Sequence, residues 1–427
     1  MPANGQPKLF HTFRPPNPTG ALPWWLPILL GFLTAAGPIA TDIYLPAFPI
    51  MVKDLHTDLA GVQQTLSIWF IGLAIGQLTV GPMADRFGRR APLIIGNLIF
   101  AFGSAVCAAA PDIYTFFGGR FVASLGASAS LVIPTACVRD LVPDVRAGAR
   151  MMSRLVMVMG VVPILAPMLG GVAVTFVSWR VIFWASTGYG VLCTLLVIRL
   201  LPETLAPDLR SRLSPISLVT RYVGLLKDRG FLSHALIVGF STFMSFSYLT
   251  AASPVFINGF GFTPLHFSML FGLFAIFMIG ASQLNGMLVN HFSPERLLAA
   301  AVMLAAGGSL ALLGVSLWVS GHMPLPPGIS LEAVVTIGTM IVALGATGII
   351  YPNAMMGALA DHAKVAGAAS ALAGTMQYVF GALTGGLIGI LSAQVFPREG
   401  SPMPMTIGML LGALMMVATL PLRPRGK

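Results

Sequence analysis

The sequence predicts an all-α membrane protein of twelve transmembrane helices arranged as two six-helix halves, and three observations lead there. Of its 427 residues, 56% are hydrophobic and only 9% charged, against roughly 25% charged in an ordinary soluble domain. Twelve apolar stretches approach or exceed the roughly 20 residues that a helix needs to cross a bilayer. They lie near 24–47, 62–83, 91–110, 114–138, 152–176, 179–199, 232–256, 265–290, 294–318, 331–357, 366–394 and 402–421. Barrel strands are excluded by that length, since they run to only about 10 residues and alternate polar with apolar. Third, if the N-terminus is cytoplasmic, all of the 24 basic residues except Lys53, Arg180, Arg398 and the span-embedded Arg120 fall in segments on the cytoplasmic side. This is the positive-inside bias of a polytopic protein with both termini in the cytoplasm.

The net charge of +10 therefore reports topology. No basic soluble domain remains to hold nucleic acid. Cys107, Cys137 and Cys193 all fall in spans without metal-ligand spacing, so neither a disulfide nor a metal site is expected. No phosphate-cradling glycine loop precedes a lysine, and no enzyme signature is present. With no nucleotide site and no cofactor, an ion gradient is the expected energy source.

In chain order, 1–23 is a cytoplasmic tail and 24–200 the first six-helix half. The first apolar stretch exceeds a secretion-signal core and is read as a retained helix. Span 1 carries Asp42, the one acid well inside a first-half span, in Ala40-Thr41-Asp42-Ile43-Tyr44-Leu45-Pro46. A carboxylate inside a membrane is costly unless paired, hydrated or protonated, which makes it a functional candidate. Pro46 removes the backbone donor that the Asp42 carbonyl would have bonded, so a bend is expected there. Withdrawal from water makes a carboxylate hold its proton, and a nearby cation makes it release one. Asp42 is thus read as a proton carrier, the alternative being a structural acid near the outer interface.

Arg120 in span 4 is the expected partner of Asp42. At about 1.5 Å per residue, Asp42 lies about 8 Å and Arg120 about 10 Å from the predicted outer ends, compatible with one shared cavity. A purely structural ion pair is the other reading. Ser124 and Ser128 follow Arg120 at helical spacing and give span 4 a small polar stripe.

Spans 2 and 3 are joined by Gly81-Pro82-Met83-Ala84-Asp85-Arg86-Phe87-Gly88-Arg89-Arg90, read as a tight charged turn. Arg86, Arg89 and Arg90 cannot enter hydrocarbon cheaply, and Gly81 and Gly88 permit close packing or an unusual backbone. In span 5, Gly160, Pro163, Pro167 and Gly170 form a stripe with Gly171 beside it, which allows a bent, closely packed helix.

Residues 201–231, with Pro202, Pro207, Pro215 and a cluster of basic side chains, form the longest cytoplasmic connector and separate the halves. The second half, 232–421, repeats the first weakly: Gly286 to Asn290 stand where Gly81 to Asp85 stand in the first. Such repeats face each other across a midplane site in transporters. Residues 422–427 are a second cytoplasmic tail. Tyr248, Gln283, Asn285, Asn353, Gln377 and Tyr378 are span-embedded candidates for a substrate cavity, each equally able to serve an interhelical hydrogen bond.

The pattern from Gly81 to Arg90 resembles the signature loop of the major facilitator superfamily. Ala166-Pro167-Met168-Leu169-Gly170-Gly171 resembles its antiporter motif, with Ala166 in place of the first glycine. Thr41 to Pro46, Gly76-Gln77-Leu78, Arg139-Asp140 and Tyr351-Pro352-Asn353-Ala354 are similar to the bicyclomycin/chloramphenicol-resistance (Bcr/CflA) family of bacterial drug:proton antiporters. The resemblance covers nearly all twelve spans. It implies a major facilitator fold in the bacterial inner membrane and export of small, partly apolar organic molecules in exchange for protons. It further implies that the loop latches the two halves in the outward-open state, with Asp85 against the N-terminus of span 11 and Arg89 paired with Asp140. A proton-coupled uptake symporter and a membrane sensor without transport are the competing readings. Oligomeric state is not legible.

Overall fold

A computed structural model describes residues 23–141, 145–210, 215–322, 330–362 and 365–423, with side chains described except at 139, 145–160, 209 and 215. Among the described residues every regular element is helical. Numbered so that helix and span agree, the runs are α1 Leu26–Asp54, α2 Leu59–Phe87, α3 Arg90–Ala109, α4 Ile113–Leu141, α5 Val145–Phe176 and α6 Arg180–Leu200. A connector helix, Pro215–Lys227, precedes α7 Arg229–Gly259, α8 Pro264–Leu288, α9 Pro294–His322, α10 Leu331–Leu359, α11 Ala366–Val395 and α12 Met403–Leu422. Eleven of these runs are long and apolar enough to cross a membrane, and α5 contains the shorter apolar stretch Val161–Phe176.

Proline breaks the first helix, and glycine turns the corner from α2 to α3. α1 is broken into helices Leu26–Thr34 and Ala36–Asp42, a 3₁₀ turn at Leu45–Ala47 and a last helix Phe48–Asp54. The break after Asp42 follows from Pro46, which offers no N–H to the Asp42 carbonyl. Span 1 consequently runs past the expected end at 47, because the chain re-enters a helix at Phe48. At the connection of α2 to α3, the helix continues through Gly81 and Pro82 to Phe87, so the expected charged turn is only a corner at Gly88 and Arg89. Gly88 adopts φ 89°, a left-handed backbone that glycine enters without steric cost. Gly81 is ordinary helix, and a Cβ there would meet nothing within 4 Å.

The loops alternate between two ends. The basic end carries the Gly88 corner and the connector, and the far end carries the turns at 55–58, 260–263 and 396–402. Between the halves, α2 lies along α7 and α11. From the far end inward, Gln63 Nε2 donates to the Thr250 carbonyl at 3.3 Å and Ser67 Oγ to the Ala382 carbonyl at 2.6 Å. Phe70 then stacks on Phe246 with centroids 4.1 Å apart, and Thr375 Oγ1 donates to the Ala74 carbonyl at 3.4 Å. Without bulk water, interhelical hydrogen bonds and close van der Waals packing provide this adhesion.

Candidate functional site

The corner at the basic end is a charge network. Arg89 is buried, and its Nε donates to Asp140 Oδ2 at 2.8 Å while Nη1 donates to Asp85 Oδ1 at 2.5 Å. Burial opposes the Arg89 charge, but hydrogen bonds to Asp140 and Asp85 outweigh it and hold the guanidinium above its ordinary range. Arg86 is exposed beside the Phe87 ring, and Arg90 Nη2 donates to the Ile198 carbonyl at 2.6 Å. Asp85, expected against the N-terminus of α11, is half exposed and turned onto Arg89. Among the described residues no amide at the start of α11 donates to it.

Three connector residues, Glu203, Thr204 and Arg210, complete the network, and none was singled out as a site residue in the sequence. Glu203 Oε1 accepts from the Arg89 N–H at 2.8 Å and the Leu205 N–H at 3.0 Å, and Oε2 from the Arg90 N–H at 3.4 Å. It caps the N-terminus of α3, where the helix dipole and unpaired amides favour an anion. A Cβ on Gly88 would fall 2.2 Å from Glu203 Oε2, so glycine serves both the positive φ and the cap. Arg210 approaches the same oxygen at 3.8 Å, and Thr204 Oγ1 donates to Asp140 Oδ2 at 3.1 Å. The signal was Glu203 itself, an acid placed where a basic connector begins.

Deeper in the first half, Asp42 is 8% exposed and accepts a hydrogen bond from Thr41 Oγ1 at 2.8 Å. Arg120 is 1% exposed. The expected pair between them is not formed. Arg120 Nη1 donates to the Ala40 carbonyl at 2.9 Å and Nη2 to Tyr44 Oη at 3.4 Å, and its guanidinium lies 4.6 Å from the Tyr44 ring centroid and 4.3 Å from that of Trp69. The exit from α-helix after Asp42 leaves the Ala40 carbonyl for the guanidinium, and two aromatic faces supply cation–π attraction, about 2 kcal/mol each when desolvated. Among the described residues no carboxylate forms an ion pair with Arg120.

The serine stripe of α4 faces α2 instead of a cavity. A Cβ on Gly72 would lie 1.8 Å from Ser124 Oγ, and one on Gly76 2.2 Å from Ser128 Oγ. In α5, Pro163 and Pro167 sit inside the helix, and Ala166, Gly170 and Gly171 are buried. The two glycines meet different neighbours. A Cβ on Gly170 would fall 1.7 Å from the Ile43 carbonyl oxygen, in the break beside Asp42, and one on Gly171 would fall 2.2 Å from Ser268 Oγ of α8, in the other half.

The six cavity candidates separate. Tyr248 is buried, stacks on Phe271 at 5.6 Å, bears a hydroxyl without a hydrogen-bond partner and lies within electrostatic reach of Asp42. Tyr378 is half-buried and lies parallel to Phe70 at 6.2 Å, across the halves. Gln377 accepts from Tyr351 Oη at 3.4 Å. Asn353 Nδ2 donates to Asn285 Oδ1 at 2.6 Å, an internal bond of the second half joining α8 and α10. Gln283 is exposed. Tyr248 and Tyr378 thus border the space between the halves, whereas Asn285 and Asn353 satisfy each other.

The charged corner, the broken first helix and the paired halves agree with a family model described as Major Facilitator Superfamily, which matches residues 30–386. The chain belongs to the major facilitator superfamily. Among curated relatives of this superfamily member, an uncharacterized MFS-type transporter, YdgK, of Bacillus subtilis is 35% identical over 89% of this chain and 92% of its own. A bicyclomycin resistance protein homolog of Haemophilus influenzae is 29% identical over the same shares. A multidrug resistance protein, MdtL, of Klebsiella pneumoniae is 30% identical over 64% of this chain and 69% of its own. These relatives bear out the resemblance to the bicyclomycin/chloramphenicol-resistance branch. Solved structures share the fold at low identity: the nucleoside transporter NupG superposes with a TM-score of 0.69 at 14% identity, covering 92% of this chain and 98% of its own. A D-xylose–proton symporter gives 0.68 at 15%, covering 92% and 95%.

Proposed function

We propose that this major facilitator protein exports small, partly apolar organic compounds across a bacterial inner membrane by exchanging them for protons. The reading rests on Asp42, a buried acid in a broken helix between the two halves. Its one described hydrogen bond, from Thr41, leaves a carboxylate free to take either a proton or a cationic group of a substrate. Exclusion of one by the other is what turns a proton gradient into export. Arg120 holds the Asp42 turn through the Ala40 carbonyl, which makes it a positioning residue of the coupling site. The drug-resistance relatives support export over uptake, and the xylose symporter among the fold neighbours speaks only for the shared architecture.

On this reading the basic end is cytoplasmic, in keeping with the positive-inside bias. The far end is then closed by the Gln63, Ser67 and Phe70 contacts, and Asp85 is off its latch, as befits a cytoplasm-facing state. The deciding experiment is an efflux panel of drugs and metabolites in a pump-deficient bacterium, with Asp42→Asn as control. Export that Asp42→Asn abolishes is expected; undiminished export would remove Asp42 as the coupling group. The direction of proton movement separates exchange from symport, because substrate entering from the cytoplasmic side draws protons inward in an exchanger. Binding without flux would instead identify a sensor.

A further inference from the structure

At the far end a cavity of about 840 Å³ lies between the halves, bounded by Asp58 and Gln63 on α2, Asn258 on α7 and the turn bearing Arg398 and Glu399. Its rim mixes both signs of charge, with Lys53 and Arg398 against Asp54, Asp58 and Glu399. The Asp58 carboxylate is already engaged, accepting the Gly61 N–H at 2.7 Å as the cap of α2. In the wall, Gln63 is 0% exposed. Its Nε2 donates across the halves to the Thr250 carbonyl, while its Oε1 accepts no hydrogen bond. Thr250 Oγ1 and Ser253 Oγ, on the neighbouring stretch of α7, are buried and unpartnered as well.

A buried acceptor without a donor is costly, and so many together are rarely kept without a use. Of these, Gln63 lines the cavity and stands on the seam that must part when the far end opens. We propose that this cavity is a second ligand site, a release station in which Gln63 Oε1 receives an N–H or O–H donor of a small organic molecule on its way out. The site takes neutral or singly cationic molecules, since its rim presents no excess of positive charge. It rests on the export reading and lies apart from Asp42, so the two are separable by experiment.

The natural cysteines Cys107, Cys137 and Cys193 are all buried, so one cysteine placed at the exposed wall position, Asn258→Cys, reports on the cavity. The full chain in proteoliposomes is alkylated by a membrane-impermeant maleimide with ethidium as probe, a cation bearing two aromatic amines. Ethidium is expected to slow the alkylation, and Gln63→Leu to raise the concentration needed by about three- to tenfold, the worth of one ordinary hydrogen bond. Tetraphenylphosphonium, which has no donor, should be indifferent to Gln63→Leu, and Asp42→Asn should leave protection by ethidium intact. Equal protection in Gln63→Leu, loss of protection in Asp42→Asn, or no protection by ethidium overturns the site. Should Gln63→Leu fail to fold, Ala393→Phe fills the cavity from its exposed wall, and protection that survives it also overturns the proposal. Protection without proton-driven export would refute the export reading and with it the release role, leaving only a far-end ligand site.

Discussion

Replacing Glu203 by glutamine tests the anchoring of the connector to the first half. The side chain would keep its shape, yet only one of its two oxygens would still accept. Oε1 could go on receiving the Arg89 and Leu205 amides at 2.8 and 3.0 Å, while an NH₂ group in place of Oε2 would face the Arg90 N–H at 3.4 Å and the Arg210 guanidinium at 3.8 Å. Hydrogen bonds to a charged group contribute about 1.5–3 kcal/mol, and an anion at a helix N-terminus about 0.3–2 kcal/mol. Loss of the charge with one bond turned repulsive should therefore cost about 2–3 kcal/mol locally. At 1.4 kcal/mol per decade, local opening would become about 30- to 150-fold more frequent. Hydrogen–deuterium exchange of the Arg89 and Arg90 amides in detergent reads this directly. Exchange that is unchanged at these amides would refute the cap, and uniform acceleration across α1 to α6 would show that the substitution unfolds the half instead.

Other substitutions test separate parts. Arg120→Lys removes the planar group that lies over Tyr44 and Trp69, so transport should fall at least tenfold despite the retained charge; wild-type kinetics would deny Arg120 a positioning role. Asp85→Asn should slow export by altering gating while leaving substrate affinity within about twofold, and an affinity loss alone would contradict the latch assignment. Asp112, at the start of α4, accepts the Thr115 and Tyr114 amides at 2.9 Å and the Thr115 hydroxyl. Hydrogen bonds from Thr115 above all hold its carboxyl below the usual carboxylate range. A lowered folded value means that the cap's stabilisation is present above the ordinary value, about 3.9, and lost as pH falls through the lower one. Protection of the Tyr114 and Thr115 amides should survive at pH 4; its loss as pH falls through about 4 would show an unperturbed carboxyl.

Much of this architecture was legible because the bilayer imposes it. Twelve apolar stretches, a basic bias and Pro46 beside Asp42 each have a local cause, and local causes are written in local sequence. The partner of Arg120 was not legible, since it depends on which backbone carbonyl the bent α1 offers and on which aromatic rings α1 and α2 bring near. Asp85 is a different case: the resemblance implies a partner at the start of α11, whereas the structure turns its carboxylate onto Arg89, a choice that the residue pattern does not record. Glu203 was hidden by composition. Among so many basic residues the connector reads as a membrane-surface anchor, and only the folded corner shows its acid buried beneath two backbone amides.

Gly170 and Gly171 tie these observations into one mechanical line. Asp42 ends an α-helix, and the next carbonyl, that of Ile43, leaves no room for a Cβ on Gly170. One residue on, a Cβ on Gly171 would fall 2.2 Å from Ser268 Oγ of α8. The break beside the acid thus meets α5 at a backbone carbonyl, and α5 meets α8 at the Ser268 hydroxyl, which is held by the Pro264 carbonyl, while the Leu45–Ala47 turn also packs on α8 itself. Movement of the Asp42 turn on protonation or substrate binding would press directly on α5, and α5 on α8. Alanine at the two positions should separate the roles. Gly170→Ala strains contacts within one half, so protein yield and stability should fall in every state. Gly171→Ala strains only the seam between halves and should push the population toward states parted at the far end, read as faster far-end thiol labelling at unchanged yield. Equal phenotypes for the two would break the line at α5, and Ala166, which keeps a small residue where the antiporter motif has glycine, would then carry no information about coupling.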